Sequence, residues 1–431
     1  MTSMVNKAQG FGLSLITKIA GSEVLDQLKL RKFVEKSLYQ GSKAGFKTLN
    51  QTQKIFKPQP NLSKQRLSNQ QKSLFDLSLS EEQTMVCDAM KQFASEVLRP
   101  LAAQANHDEL FPQQLWQHSA ELGLNFYALP ESLGGVATEK NIVNNLLIAE
   151  QLAHGDFSLC AGLLSSFSAI NALTQWGTAD IQAKYLAAFS TDPELKASFA
   201  VQENTPAFNP FELKTQATDH NGQYRISGEK TAVLLGESAD ILLVNAMLNG
   251  QPEVFVVPRH SSIQFKKSSA MGLKPAETVT LYFKNTPAER LSDQDFNYSS
   301  FLDLGNLMWC ALAIGTCTAA KEYCIQYANE RTAFGEPISH RQSVAFMIAD
   351  MAIEIEAMRM LLLNAASLAE SGQSFHREAY LARLLCAEKS MKIGTDSVQI
   401  LGGHGFTKEH PVERWYRDLR AVAIMQSGLH A

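Results

Sequence analysis

Apolar residues recur at helical spacing over most of the chain, and one stretch of different texture interrupts them. From Phe11 to about Phe46, Leu13, Ile16, Ile19 and Ala20 share a face, and Val24, Leu25, Leu28, Phe33, Val34 and Leu38 follow, with Lys and Arg between them. The run from Gln51 to Lys72, rich in Gln, Asn, Ser and Lys and holding Pro58 and Pro60, reads as a linker. From Leu77 to about Asp192 the pattern is helical almost throughout. Ser80 before Glu81 and Glu82 marks a helix start, Pro100 is expected to break one helix, Pro112 to open another, and Pro130 to Gly135 to form a loop. From about Leu195 to Leu291 short strand-like runs take over, at 196–201, 211–217, 223–226, 241–246, 254–257 and 279–283, with Asn221-Gly222 as a hairpin signal. From Phe301 onward helical segments return, each long enough for a bundle.

This order predicts an α+β fold, mostly α. Residues 1–75 form a basic amphipathic extension and linker, 76–194 an N-terminal helical domain, 195–295 a middle β domain, and 296–431 a C-terminal four-helix bundle. It is not the βαβ alternation of a parallel nucleotide-binding sheet. No GxGxxG follows a strand, and Gly402-Gly403-His404-Gly405 sits between helices, so a Rossmann site and a P-loop are set aside.

Composition narrows the picture further. The chain has 431 residues, of which 45% are hydrophobic and 19% charged, as in an ordinary folded protein. Six scattered cysteines with no CxxC pair argue for buried thiols in a reducing, cytoplasmic compartment, and no metal site is expected. No apolar run reaches the roughly 20 residues that cross a bilayer. Residues 1–72 hold thirteen basic and three acidic residues, a net +10, and the remainder carries -14. The basic amphipathic arm at 11–46 suits peripheral membrane contact, or equally a helical arm packed on its own or a neighbouring subunit. The acidic body and the lack of any nucleic-acid-binding motif argue against a nucleic-acid partner.

Several spaced motifs then coincide in order. They are Leu122-Gly123-Leu124, the 130–135 loop, Trp176-Gly177-Thr178, Ser227-Gly228-Glu229-Lys230 and Met271-Gly272-Leu273. Glu330-Arg331-Thr332-Ala333-Phe334-Gly335 with Gln342, the run from Gln399 to Phe406, Glu413-Arg414 and Arg417-Asp418 complete the set. From about Asp76 to Gly428 the chain resembles the acyl-CoA dehydrogenases, flavoproteins that oxidise the Cα–Cβ bond of an acyl-CoA thioester. The resemblance implies FAD as cofactor, acyl-CoA as substrate, 2,3-enoyl-CoA as product, an electron-transfer acceptor, and a homo- or hetero-oligomer, dimer or tetramer, with FAD lying across a subunit boundary. It places Arg331 on the pyrophosphate and Phe334 and Gln342 at the adenosine end, with Gln399, Gly402 and Gly403 approaching from a neighbouring chain. Arg417-Asp418-Leu419-Arg420, after the run from Gly405 to Glu409, looks most like the very-long-chain branch.

The catalytic positions depart from the family pattern. The family's base is most often the Glu of a stretch of the form IYEGT. Here that stretch is Ile424-Met425-Gln426-Ser427-Gly428, so Gln426 stands at the base position, and an amide cannot accept the α-proton. The other position at which members place the base corresponds to Gly305. Asp303 is the nearest carboxylate, but it lies about 200° around the helix and reads as a solvated helix-start acid; Asp418 and His404 are the further candidates. The TEPxxGSD run appears as 202–209, keeping only Glu203, and the W-I-S/T run as Ala232-Val233-Leu234, where Leu offers no donor to a flavin. Two functions follow: an FAD-dependent acyl-CoA dehydrogenase whose base is elsewhere, or a catalytically degenerate member acting as a non-catalytic subunit or an acyl-CoA or FAD binding protein.

Overall fold

The computed structural model describes residues 79–431 apart from 138–140, 193, 294 and 295. The basic arm at 11–46, with the membrane contact expected of it, and the linker lie outside the described residues.

Helix α1 (Glu81–Phe93) opens on a capping box: the Gln83 amide donates to Ser80 Oγ, and the Ser80 amide to Gln83 Oε1. Pro100 does not break the helical path. A π-turn, Ala94–Leu98, in which Arg99 N–H bonds the Ala94 carbonyl oxygen, leads straight into α2 (Arg99–Asp108), and beside this widened turn the continuous helical path accommodates Pro100, which has no N–H to donate. Helices α3 (Gln114–Leu122), α4 (Ile142–Ala153) and α5 (Phe157–Trp176) follow. The periodic stretch 141–176 is therefore two helices, because Asp156 adopts extended backbone and caps α5 through Leu159 N–H.

Seven strands come next: β1 (Ala197–Ala200), β2 (Gln216–His220), β3 (Gln223–Val233), β4 (Ile241–Leu248), β5 (Gln251–Pro258), β6 (Ile263–Lys267) and β7 (Val279–Arg290). The Asn221-Gly222 turn joins β2 to β3 as its sequence demands, both residues having positive φ. The strand expected at 211–217 begins only at Gln216, because residues 210–215 turn around the Glu203 carboxylate, which accepts from the amides of Lys214 and Thr215. Pairings β4–β2, β2–β3, β3–β7, β7–β5 and β5–β4 close a ring, with β1 on β4 and β6 on β7. Closure leaves few open edges around a core that includes Ile226, Leu242, Val244, Phe255 and Leu281.

The C-terminal block consists of α6 (Tyr298–Glu330), α7 (Gln342–Glu370) and α8 (His376–Leu401), with the shorter α9 (Val412–Leu419) against α8 and α6. Helices α5 and α6 correct one expectation, since both are long and apolar enough to cross a membrane. Their apolar windows are 94% and 89% buried inside the fold, and Ser, Gly, Cys and Asn interrupt the apolar runs, so both read as core helices.

Motifs far apart in sequence tie these parts together. A Cβ on Gly272 would lie 2.6 Å from the Arg417 carbonyl oxygen, and the next amide, Leu273 N–H, donates to Asp418 Oδ1 at 2.8 Å. Ser158 Oγ on α5 donates to Asp418 Oδ2, and Arg414 Nε to Asp156 Oδ2, both at 2.8 Å and fully buried. One carboxylate on α9 thus joins α5 to the β domain.

Candidate active site and nucleotide-binding face

The two positions at which a base is expected lie side by side. Gly305 is on the second turn of α6, and Ser427, next to Gln426, packs onto it: a Cβ at 305 would meet Ser427 Oγ at 2.1 Å and the Leu429 carbonyl oxygen at 2.5 Å. Side chains hold the backbone on either side of Gln426. Gln202 Nε2 donates to the Ile424 carbonyl oxygen (2.9 Å), Arg383 to that of Met425 (3.1 Å), and Trp309 Nε1 to that of Ser427 (2.7 Å), while Ser427 N–H donates to Asn306 Oδ1 (2.9 Å). The rest of the segment, Ser427 to Ala431, is buried, with the His430 ring stacked on Phe301 at 5.0 Å and its Nε2 accepting from Trp176 Nε1. Asn306, Trp309 and Arg383 carry no motif signal, Gln202 stands at the head of the 202–209 run, and nothing local in the sequence marks the four as the frame of this segment.

None of the three fallback groups reaches that point. Asp303 is not solvated but 6% exposed, and its carboxylate meets His376 Nδ1 at 2.7 Å, so it faces α8 rather than the Gly305 side of the helix. Burial raises its pKa, and His376 only partly offsets that. Asp418 is fully buried in the inter-domain tie, where burial first and the Asp156 charge second push it up to about 7. His404 lies at the surface beside Tyr327.

The middle domain keeps a buried ion pair behind the 202–209 run. Lys230 Nζ, wholly buried, donates to Glu203 Oε1 at 2.8 Å and to the Val201 carbonyl oxygen at 3.0 Å. Burial lowers Lys230 to about 8 against the pull of Glu203. Burial alone would raise Glu203, but Lys230 and the two loop amides outweigh it and leave that pKa below its ordinary value. Ala232 sits at φ +52 in a register shift between Lys230 and Val233; Ala232-Val233-Leu234 has no side-chain hydroxyl, and that of the preceding Thr231 meets Thr280 Oγ1 at 3.2 Å.

The six residues expected at the nucleotide are all exposed: Arg331, Phe334, Gln342, Gln399, Gly402 and Gly403. Arg331 ends α6, and its guanidinium has no hydrogen-bond or ion-pair partner among the described residues. Phe334, 96% exposed on left-handed backbone (φ +56), holds its ring out beneath the Arg341 guanidinium. Gly402 and Gly403 have nothing within 4 Å of where a Cβ would stand, which leaves their backbone open to an approaching group.

The family model for the acyl-CoA dehydrogenase N-terminal domain matches residues 80–192, and that for the C-terminal domain matches 298–428. The chain belongs to the acyl-CoA dehydrogenase family. It is 29% identical to the cyclohex-1-ene-1-carbonyl-CoA dehydrogenase of Geobacter metallireducens, covering 80% of this chain and 94% of that one. It is 28% identical to the short-chain specific acyl-CoA dehydrogenase of Megasphaera elsdenii, over 81% and 96% of the two chains. The solved butyryl-CoA dehydrogenase of Megasphaera elsdenii superposes with a TM-score of 0.75 at 25% identity, over 82% and 96% of the two chains. These relatives are short-chain and cyclic-acyl types, and the lean toward the very-long-chain branch finds no support in them.

Members of the family are FAD flavoproteins. The adenosine-diphosphate end of FAD fits the residues present: an arginine with no protein partner, an outward aromatic ring and two glycines with open space beside them. Where the resemblance puts the flavin ring, the 202–209 and 232–234 runs lack the hydroxyls and the Trp of the family pattern, while Glu203 and Lys230 form a buried pair. Glu413, Arg414, Arg417 and Asp418, prominent among the sequence motifs, hold the helices and the β domain together. Arg417 donates to Glu413, to the Met271 carbonyl oxygen and to Asn106 Oδ1.

Proposed function

We propose that this chain serves acyl-CoA oxidation as a subunit that offers a nucleotide-holding face to a neighbouring copy or related chain, while its own place for the α-proton base stays vacant. The reaction of such an assembly removes the α-proton and β-hydride of an acyl-CoA thioester to give the 2,3-enoyl-CoA, and an electron-transfer acceptor takes the electrons. FAD, when bound, supplies the hydride acceptance. This chain's own part is to hold and orient. Arg331 would pair with the diphosphate, and Phe334 and Gln342 would pack at the adenosine. Gln399, Gly402 and Gly403, expected from a neighbouring chain, would bring backbone close to phosphate oxygens from this same chain, since Arg331 and His404 line one cleft.

The observation that carries the reading is the Gly305–Ser427 contact. Position 426 holds an amide, position 305 has no room for a side chain, and the carboxylate nearest to it in sequence, Asp303, is committed to His376 on another face. Exposure of all six nucleotide residues supports the subunit role, as does an apolar stripe on α7 formed by Phe346, Ile353 and Met360, which is the kind of surface a second chain covers. The purified chain is assayed alone with butyryl-CoA and a dye acceptor. Background turnover is expected, and a rate of ordinary dehydrogenase size would defeat the reading.

Peripheral membrane contact through residues 11–46 is a separate part of the proposal, motivated by the net +10 of residues 1–72. It predicts co-sedimentation of the full chain with anionic vesicles that weakens as salt rises, because surface charges are screened. Equal sedimentation by a chain starting at Phe75 would remove the arm from the account.

A further inference from the structure

Beside Arg331 lies a cleft of about 320 Å³ whose walls are two tyrosines and two histidines. Tyr323 and Tyr327 are one turn apart on α6 and present their hydroxyls to the same side. Tyr327 Oη lies 2.8 Å from His404 Nδ1, and Tyr323 Oη lies 2.7 Å from His410 Nδ1. The two imidazoles stack on each other, centroids 5.6 Å apart and planes 26° from parallel, and Tyr327 meets both edge-on. Each tyrosine occupies one ring nitrogen, which leaves Nε2 of each histidine as the nitrogen free to meet a ligand. Tyr327 Oη also lies 3.4 Å from the Leu401 carbonyl oxygen, but its contact with Nδ1 is the shorter; with each hydroxyl donating into Nδ1, the neutral ring carries its proton on Nε2 and is a donor.

The cleft therefore gathers two oriented imidazoles and an unpaired guanidinium. The one carboxylate in its lining, Glu330, is engaged by Gln326 Nε2 at 2.9 Å. Such a donor set matches phosphate oxygens, and Gly402 and Gly403, with nothing within 4 Å of a Cβ, immediately precede His404 of its lining.

We propose that His404 and His410, oriented by Tyr327 and Tyr323, are positioning residues for the diphosphate of an adenine nucleotide, acting beside Arg331. The inference deepens the reading of this face as nucleotide-holding. The same chemistry is present in FAD and in the adenosine diphosphate part of CoA, and FAD is the source that the adjacent Phe334 and glycines favour.

The test titrates the full chain with FAD, with CoA, and with riboflavin, which has no phosphate, following flavin fluorescence or heat. The double variant His404→Ala/His410→Ala should weaken FAD about tenfold or more, the scale of one lost charge-assisted bond. Riboflavin should be unaffected. The double variant His404→Gln/His410→Gln, which keeps a donor near the Nε2 position, should retain most of the affinity. Loss confined to CoA would support the diphosphate site with CoA as its source. The proposal is overturned if the alanine pair binds FAD and CoA as the wild type does, if riboflavin weakens in parallel, or if the wild type binds neither nucleotide. The dye assay decides the vacant-base reading independently, so the two can fail separately.

Discussion

Ser427 sits so closely on Gly305 that no side chain fits at 305. A Cβ at 305 would lie 2.1 Å from Ser427 Oγ, while Ser427 itself adopts φ +57, and its buried hydroxyl has no hydrogen-bond partner. In the family's IYEGT pattern a glycine stands where this chain has Ser427, and glycine tolerates left-handed backbone without penalty.

Ser427→Gly should therefore stabilise the protein by roughly 1–2 kcal/mol, through relief of the left-handed strain and loss of an orphan hydroxyl. Gly305→Ala should destabilise it by about 1–3 kcal/mol through overpacking, and by less in the Ser427→Gly background. Urea unfolding of the four proteins measures the cycle. Strict additivity would show that the two residues do not press on each other.

Gln426→Glu should restore measurable dye-linked oxidation of butyryl-CoA. The residues flanking 426 are already held by Gln202, Arg383, Asn306 and Trp309, so a carboxylate there arrives on an ordered backbone. A gain of at least ~10-fold is expected, out of the ~10²–10⁴ that one positioned base contributes. The companion Asp303→Asn should leave the rate where it was; a drop would make Asp303 a participant.

Asp418 supplies a pH-dependent term. Its folded-state pKa is raised from 3.8 to about 7 by burial and by Asp156, so the folded protein binds its proton more tightly than the unfolded chain does. Its contribution to stability is fully present below about pH 4 and is lost as pH rises through about 7, at roughly 1.4 kcal/mol per pH unit at most. Asn at 418 keeps an acceptor for Leu273 N–H and does not ionise. Relative to wild type, Asp418→Asn should gain stability between pH 5 and pH 8; a difference that is constant with pH would contradict the assignment.

Ile353 lies at the middle of the exposed α7 stripe, seven residues from both Phe346 and Met360 and so on one face of the helix. Ile353→Glu should reduce the oligomer to smaller species in light scattering behind size exclusion, with the far-ultraviolet helix signal unchanged. An unaltered mass would place the subunit contact elsewhere.

Much of this protein is legible in its sequence. Helix, strand and helix followed from periodicity, because burying one face imposes a 3.6- or 2-residue repeat on the sequence itself. The residues proposed for the nucleotide, from Arg331 to Gly403, stand out through spaced motifs, and the missing carboxylate at Gln426 through a substitution within one. These features are local, and each leaves its mark within a short window. Pro100 shows the limit even there, since a proline beside a π-turn that keeps the helical path unbroken cannot be told from one that breaks it by residue type alone. Only the tertiary structure decided which distant groups meet. It bound Asp303, which reads as a solvated acid, to His376 across 73 residues, and turned the Arg414 and Asp418 motifs into ties to α5 across about 260. It also set Ser427 onto Gly305 across more than 100 residues, closing the second base position. Periodicity states which face of a helix is buried; the partner on that face is chosen by the chain's path through the whole fold, and no local repeat encodes it.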